Sequence, residues 1–269
     1  MIKIRKALIG DRPYIEDIAK NTWEGHDYLT HIFTDWIKDG GFYAAVDGKR
    51  VIGTVKLSIL PGKTVWLEGL RVHPDYQGKK IGNLLNDFIM EKAESLVKKG
   101  TGSRIAIATY FKNAQSLRIA CKNGFSIKER FFCLGRVPDR IIKGPASASS
   151  DSFDFNVFGE HIPYGWKFVE NSEEGIDWIK AHSLFFRAGA FDFYSVVNSP
   201  EPVFMPLVFS SDAISEYTGA FNYITGNKGY YEIMIPEKAD FLIPALLEKG
   251  FEFYEQPHEA NVYVLVKDK

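Results

Sequence analysis

The chain has 269 residues, a length that fits two medium-sized domains better than one. Hydrophobic residues make up 45% and charged residues 25%, the balance of an ordinary soluble globular protein. Thirty-three Lys and Arg against 34 Asp and Glu give a net charge of −1, without the basic excess of a nucleic-acid binder.

Two cysteines, Cys121 and Cys133, are too few for a disulfide scaffold and fit a reducing compartment. The opening MIKIRKALIGDR has no apolar leader core, and no apolar run approaches the roughly 20 residues of a membrane span. The expectation is a cytoplasmic protein with neither membrane nor nucleic acid as partner. The histidines show no metal-ligand spacing; His26 and His31 are five apart, where a helix would need four. No metal is expected.

Residues 2–7 read as a strand. Gly10-Asp11 then opens a helix with Pro13 in its first turn and Tyr14, Ile15, Ile18 and Ala19 on its apolar side. A second helix over 28–38 stops at Asp39-Gly40-Gly41. Strands at 42–46 and 50–59 meet across Asp47-Gly48, a hairpin signal, and Pro61-Gly62 turns the chain into a strand over 64–72. After a loop at 73–80 comes the clearest helix, with Ile81, Leu84, Leu85, Phe88, Ile89, Ala93, Leu96 and Val97 at a period of about 3.6 residues. Gly100 and Gly102 end it. A short strand at 104–110 leads to Asn113, which caps a helix ending at Gly124, and strand-like residues continue from 125 to 137.

The stretch GPASASSDS at 144–152 is the single low-complexity segment and reads as a linker between domains at 1–143 and 153–269. The second half carries an internal echo. Setting Gly250-Phe251 on Gly124-Phe125 gives an offset of 126 (250 − 124) that lays a strand at 230–235 on the strand at 104–109. The same offset lays 239–249 on the Asn113 helix, where Pro244 is expected to make a kink. Identities are few, so chance similarity of two strand–helix–Gly-Phe units stands as the alternative.

The chemistry concentrates in WLEGLRVHPDYQGKKIG, from Trp66 to Gly82. A strand runs into a glycine-bearing turn and then a long helix, whose first N–H groups make a site for phosphate oxygens. Gly78 and Gly82 permit close backbone approach, and Lys79 and Lys80 add positive charge. A plain solvated turn would also contain such residues.

This segment resembles the acyl-CoA-binding motif of the GCN5-related N-acetyltransferase (GNAT) superfamily, with Gln77, Ile81 and Gly82 at matching positions. The resemblance covers most of residues 1–140 and extends to the element order and the Asn113, Leu117 and Gly124-Phe125 pattern. It implies the mixed-sheet α+β acyl-CoA N-acyltransferase fold, with acetyl-CoA as co-substrate. It also implies coenzyme contacts from Leu70, Arg71, Val72, Gln77, Gly78, Lys79, Lys80, Ile81, Gly82 and Asn113. A backbone N–H near 70–72 would bind the developing oxyanion. Glu68 is the expected base; its alternative is a carboxylate paired on the sheet, for instance with Arg71.

Two positions depart from the family. Lys80 stands where the family's first glycine is expected. Ala120 stands where many members carry a Tyr that protonates the departing thiolate; the adjacent Cys121 points about 100° away and reads as a small core residue. Trp23, His26, Asp27 and Tyr28 lie where the family often builds its acceptor wall, but a packed helix connection reads the same, and none is assigned.

The second half resembles the non-catalytic halves of tandem acetyltransferases, which shape an acceptor cleft or a dimer interface. The offset puts Ala239 on Asn113 and Val203 on Gln77, and no glycine turn occurs in SPEPVFMPLVFSS. The expected activity is acetyl transfer to a primary amine of a small molecule or protein, with room for a homodimer. The alternative is an acyl-CoA-binding sensor that no longer turns over.

Overall fold

Alternating apolar residues and turn glycines build the first strands and helices of the computed structural model, which describes residues 1–22, 25, 27–137, 147–148, 153–196, 202–225 and 230–268. Chain contacts divide these into two units. One is Met1–Ile107 with Arg118–Phe125 and Val266–Lys269; the other is Ala108–Leu117 with Ser126–Leu265.

The first unit opens with β1 (Lys3–Lys6), α1 (Arg12–Lys20) and α2 (Leu29–Asp39), followed by β2 (Phe42–Asp47), β3 (Arg50–Leu60) and β4 (Thr64–Val72). Then come α3 (Ile81–Lys98), β5 (Ile105–Tyr110) and α4 (Ala114–Lys122), the last two crossing the division between units. Strands β1 to β4 are successively antiparallel; Asp47 faces Arg50 across a two-residue turn in which Gly48 has φ 60. β4 and β5 run parallel, with α3 as crossover, and pair only at Val65–Ile105 and Trp66–Ala106.

Strand alternation sorts the helices onto two faces. Phe42, Ala44 and Val46 pack with Ile15, Ile18, Leu29, Phe33 and Trp36 of α1 and α2. Tyr43, pointing the other way, meets Phe88 of α3 edge-on at 4.9 Å. Gly53 lets α3 close on β3: a Cβ there would stand 2.9 Å from Leu85 and 2.8 Å from the Arg71 carbonyl oxygen.

The second unit contains β6 (Ser126–Arg136), β7 (Ser147–Ala148), the β8 (His161–Tyr164) and β9 (Lys167–Glu170) hairpin, and α5 (Glu173–His182). It continues through β10 (Ser183–Ala188), β11 (Phe191–Val196), β12 (Val203–Pro206), α6 (Ser211–Ile224), β13 (Tyr231–Pro236) and α7 (Ile243–Glu248) to β14 (Val262–Lys267), whose last residues fall in the first unit. β12 and β13 are parallel across α6, and β13 pairs antiparallel with β6 over six residues, Tyr231 opposite Arg136 through Pro236 opposite Phe131. The core is aromatic, with Phe204 stacked on Phe221 at 3.9 Å and Phe193, Tyr217 and Tyr231 around them. Phe193 and Tyr194 are buried, whereas Phe185, Phe186 and Phe191 are half-buried.

Several expectations change. The contact-based units divide within β5, within α4 and after Phe125, and β6 pairs with β13 in the second unit. Of the 144–152 stretch, only 147–148 lie among the described residues. The echo holds in its last part: β13 occupies the residues of β5 shifted by 126 (231 − 105). Phe125 N–H donates to the Ala120 carbonyl and Gly124 N–H to Cys121, just as Phe251 donates to Leu246 and Gly250 to Leu247. Gly124 and Gly250 have φ 83 and 78, left-handed closures that glycine adopts without strain. Upstream the offset fails. Val203 lies not on a counterpart of Gln77 but on β12, the strand that parallels β13 as β4 parallels β5, since the connections and crossover helices differ in length. Pro244 lies in the first turn of α7, after a 3₁₀ segment at Glu237–Leu242, instead of kinking a longer helix; in a first turn its missing N–H costs nothing.

Candidate active site

The site region of the first unit begins at an irregularity in β4. Thr54 pairs with Arg71 and Lys56 with Glu68, so Gly69 and Leu70 together face Val55 in a β-bulge. Gly69 has φ 67, and a Cβ there would come within 2.5 Å of the Trp36 ring. Both conditions require glycine. On its other edge β4 pairs in parallel with β5 at Val65–Ile105 and Trp66–Ala106, before the bulge.

The loop after β4 is tied down before it becomes a binding turn. His73 is buried; its N–H donates to the Ile52 carbonyl, and its Nδ1 accepts from Asp75 N–H at 3.2 Å. Its Nε2 lies 3.1 Å from Asp17 and 3.0 Å from Arg50. The Gln77 amide reaches back to the Val72 carbonyl at 3.4 Å. Gly78 (φ 74) and Lys80 (φ 62, ψ 15) are both left-handed. Lys80 therefore keeps the backbone that glycine would adopt at this position, although its Cβ is unfavourable there. α3 starts with no side-chain cap, and its ladder begins with Leu84 N–H donating to Lys80. By helix geometry the N–H groups of Ile81, Gly82 and Asn83 have no carbonyl one turn back. Ile81 is buried as an anchor, while Gln77, Gly78, Lys79 and Lys80 are exposed around this positive helix end.

Glu68, Leu70, Arg71 and Val72 are half-buried along the same strand. Glu68 accepts from Ser58 Oγ at 3.3 Å. Arg71 Nε donates to Asp27 Oδ2 at 2.7 Å, and Arg71 Nη1 donates to the Leu70 carbonyl at 3.1 Å. The Asp27 carboxylate is inaccessible to solvent and also receives Leu29 N–H, so the α1–α2 connection is fastened to β4. Burial, opposed by Arg71 and reinforced by Glu68 and Asp27, pushes the Tyr28 phenol up to about 12. Against the cost of burial, Tyr28 and Asp27 raise the Arg71 guanidinium above its ordinary range, so it stays charged.

Asn113 lies in the second unit and caps α4: its Oδ1 accepts from Ser116 N–H at 3.0 Å. Ala120 is buried, and Cys121, expected in the core, is exposed because adjacent helix positions point about 100° apart. Trp23 and His26 lie outside the described residues. The sequence reading passed over Gly69, although a lone glycine inside an apolar strand is a bulge signal, and over Thr54, whose role depends on that bulge. Among the described residues no group of three His, Cys, Asp or Glu is placed to hold a metal ion, and no helix is long and apolar enough to cross a membrane.

The bulged β4, the left-handed turn and the crossover helix without a side-chain cap all fall within the stretch that a family comparison matches. The Acetyltransferase (GNAT) family model matches residues 11–125. The whole chain has the GNAT fold. It is similar to a candidate acetyltransferase from Thermoplasma acidophilum, with TM-score 0.70 and 19% identity over 99% of this chain and 100% of that one. A GCN5-related N-acetyltransferase from Sphaerobacter thermophilus gives 0.67 and 11% over 99% and 95%. A candidate acetyltransferase from Pyrococcus horikoshii gives 0.63 and 13% over 100% and 89%. No curated protein is significantly similar in sequence.

Proposed function

We propose that the chain transfers an acetyl group from acetyl-CoA to a primary amine of a small molecule or a protein. The reading rests on one observation: inside the GNAT-matching segment, a bulged β4 leads through a left-handed turn to an α3 N-terminus without a side-chain cap. In this reading the backbone of Gln77, Gly78, Lys79, Lys80, Ile81 and Gly82 holds the pyrophosphate, with the lysine ammonium groups as added positive charge. Leu70, Arg71 and Val72 hold the pantetheine arm along β4.

The neutral amine attacks the thioester carbonyl carbon, and Glu68 takes the amine proton directly or through water. The carbonyl π electrons move onto oxygen, opposite a backbone N–H of the bulge, and return as the C–S bond breaks. The thiolate leaves with the bond pair and takes a proton from water. With Ala120 at the place of the usual acid, this step relies on a thiol pKa near ~8.5.

The Ala120 substitution also favours a second reading, an acyl-CoA-binding sensor without turnover. Thiol release from acetyl-CoA with a panel of small amines and lysine peptides separates the two. Amine-dependent release supports the enzyme; acetyl-CoA binding with no release above background supports the sensor.

A further inference from the structure

The bulge in β4 contains one peptide more than the ladder with β3 can use. Arg71 and Glu68 occupy the slots opposite Thr54 and Lys56, so the peptide joining Gly69 to Leu70 stands outside the regular pairing. Its carbonyl is held all the same. Thr54 Oγ1, on a side chain wholly buried in β3, donates to the Gly69 carbonyl oxygen at 2.9 Å. A trans peptide points its N–H opposite to its C=O. Fixing the Gly69 carbonyl on Thr54 therefore fixes the Leu70 N–H in the direction away from Thr54. The next peptide is pinned as well, because Arg71 Nη1 donates to the Leu70 carbonyl and the same guanidinium is anchored on Asp27. Trp36 closes on Gly69 from the helix side. Leu70 thus lies between two clamped carbonyls on the strand that carries Glu68.

We propose that Thr54 is a positioning residue for acyl transfer, its hydroxyl holding the Gly69 carbonyl so that Leu70 N–H is aimed at the thioester oxygen. The inference rests on the acetyltransferase reading above and adds to it a side chain on β3, outside the motif. Thr54 does not touch the reacting atoms. Without its hydroxyl the extra peptide is free to rotate, and the donor is lost from its aim, although the strand, the loop and α3 keep their places. Removing an oxyanion donor outright costs ~10²–10³ in rate; loosening one is expected to cost roughly 10-fold or more.

The test uses the full chain and [1-¹³C]acetyl-CoA, without any acceptor. Bound to the native protein, the thioester carbonyl is expected to resonate downfield of free acetyl-CoA, because a hydrogen bond polarises it. Thr54→Val, which keeps shape and removes the hydroxyl, is expected to lose at least half of that shift while CoA affinity by calorimetry stays within about 2-fold. Thr54→Ser is expected to retain the shift. If Thr54→Val does not fold, Thr54→Ala is read by the same criteria. A full shift in the variant without the hydroxyl, or loss of the shift in Thr54→Ser, overturns the positioning role alone. Absence of acetyl-CoA binding by the native protein overturns the acetyltransferase reading, and this inference with it.

Discussion

The two parallel crossovers, β4–α3–β5 in one unit and β12–α6–β13 in the other, share a scaffold and differ in what they offer a ligand. Both place a helix between parallel strands, and both are followed by a helix that closes on a left-handed glycine and a buried phenylalanine through the same two backbone bonds. In the first, residues 73–80 form an anchored loop that ends in left-handed Lys80. In the second, residues 207–210 pass straight from strand to helix, and Ser210 is extended at φ −144. The first helix begins Ile-Gly, the second Ser-Asp, which puts a carboxylate where a phosphate would have to approach. Asn113 caps α4 with its side chain, whereas Ala239 at the corresponding place is buried and has no such group. Packing alone maintains strand, helix and Gly-Phe closure. Anion binding additionally needs open N–H donors and a turn, and only the first crossover combines them.

The largest contrast is expected from placing one bulky residue at the second position of each helix. Gly82→Trp should weaken CoA binding about 100-fold or more by calorimetry, the equivalent of losing two charge-assisted hydrogen bonds of ~1.5–3 kcal/mol. Asp212→Trp should leave CoA affinity unchanged. Equal losses in both would erase the distinction between the crossovers.

Glu68→Gln comes next. It should lower the rate at saturating substrates by at least ~10-fold and leave CoA affinity intact. A native rate and a native pH profile would place Glu68 with the sheet's structural carboxylates.

A smaller effect is expected at the turn. Lys80→Gly removes a Cβ from a left-handed residue and should raise stability by up to about 1 kcal/mol, a gain of roughly 2–4 °C in melting temperature. Ser210→Gly, at an extended residue, should give no such gain. A loss of stability in Lys80→Gly would mean that the lysine side chain contributes more to the turn than its strain costs.

The smallest expected change concerns Tyr28. With its phenol pushed up to about 12, it stays protonated through the assay range, so kcat/KM should show no limb between pH 7 and 10 that disappears in Tyr28→Phe. Such a limb would make Tyr28 a titrating participant.

Much of the first unit was legible in the sequence because its signals are local. The apolar period from Ile81 places α3, Asp47-Gly48 places the β2–β3 hairpin, and Pro61-Gly62 sets the start of β4. What depends on partners distant in sequence was not. Residues 125–137 read as a strand, but nothing local shows that its partner is β13, about a hundred residues on. Asp27 and Arg71 meet across one helix and two strands, and neither neighbourhood carries a mark of the other. Thr54 is an ordinary β-branched strand residue until the bulge supplies a carbonyl for it. In the second half, the echo was readable where Gly250-Phe251 fixed the register and lost where β12 and a shorter crossover helix broke it.

The number of CoA molecules bound per chain tests the contrast most directly. Titration of the full-length protein by calorimetry should give one site per chain, absent in Gly82→Trp and retained in Asp212→Trp. Two sites per chain, or a single site that survives Gly82→Trp and is lost in Asp212→Trp, would contradict the assignment of coenzyme binding to the first crossover.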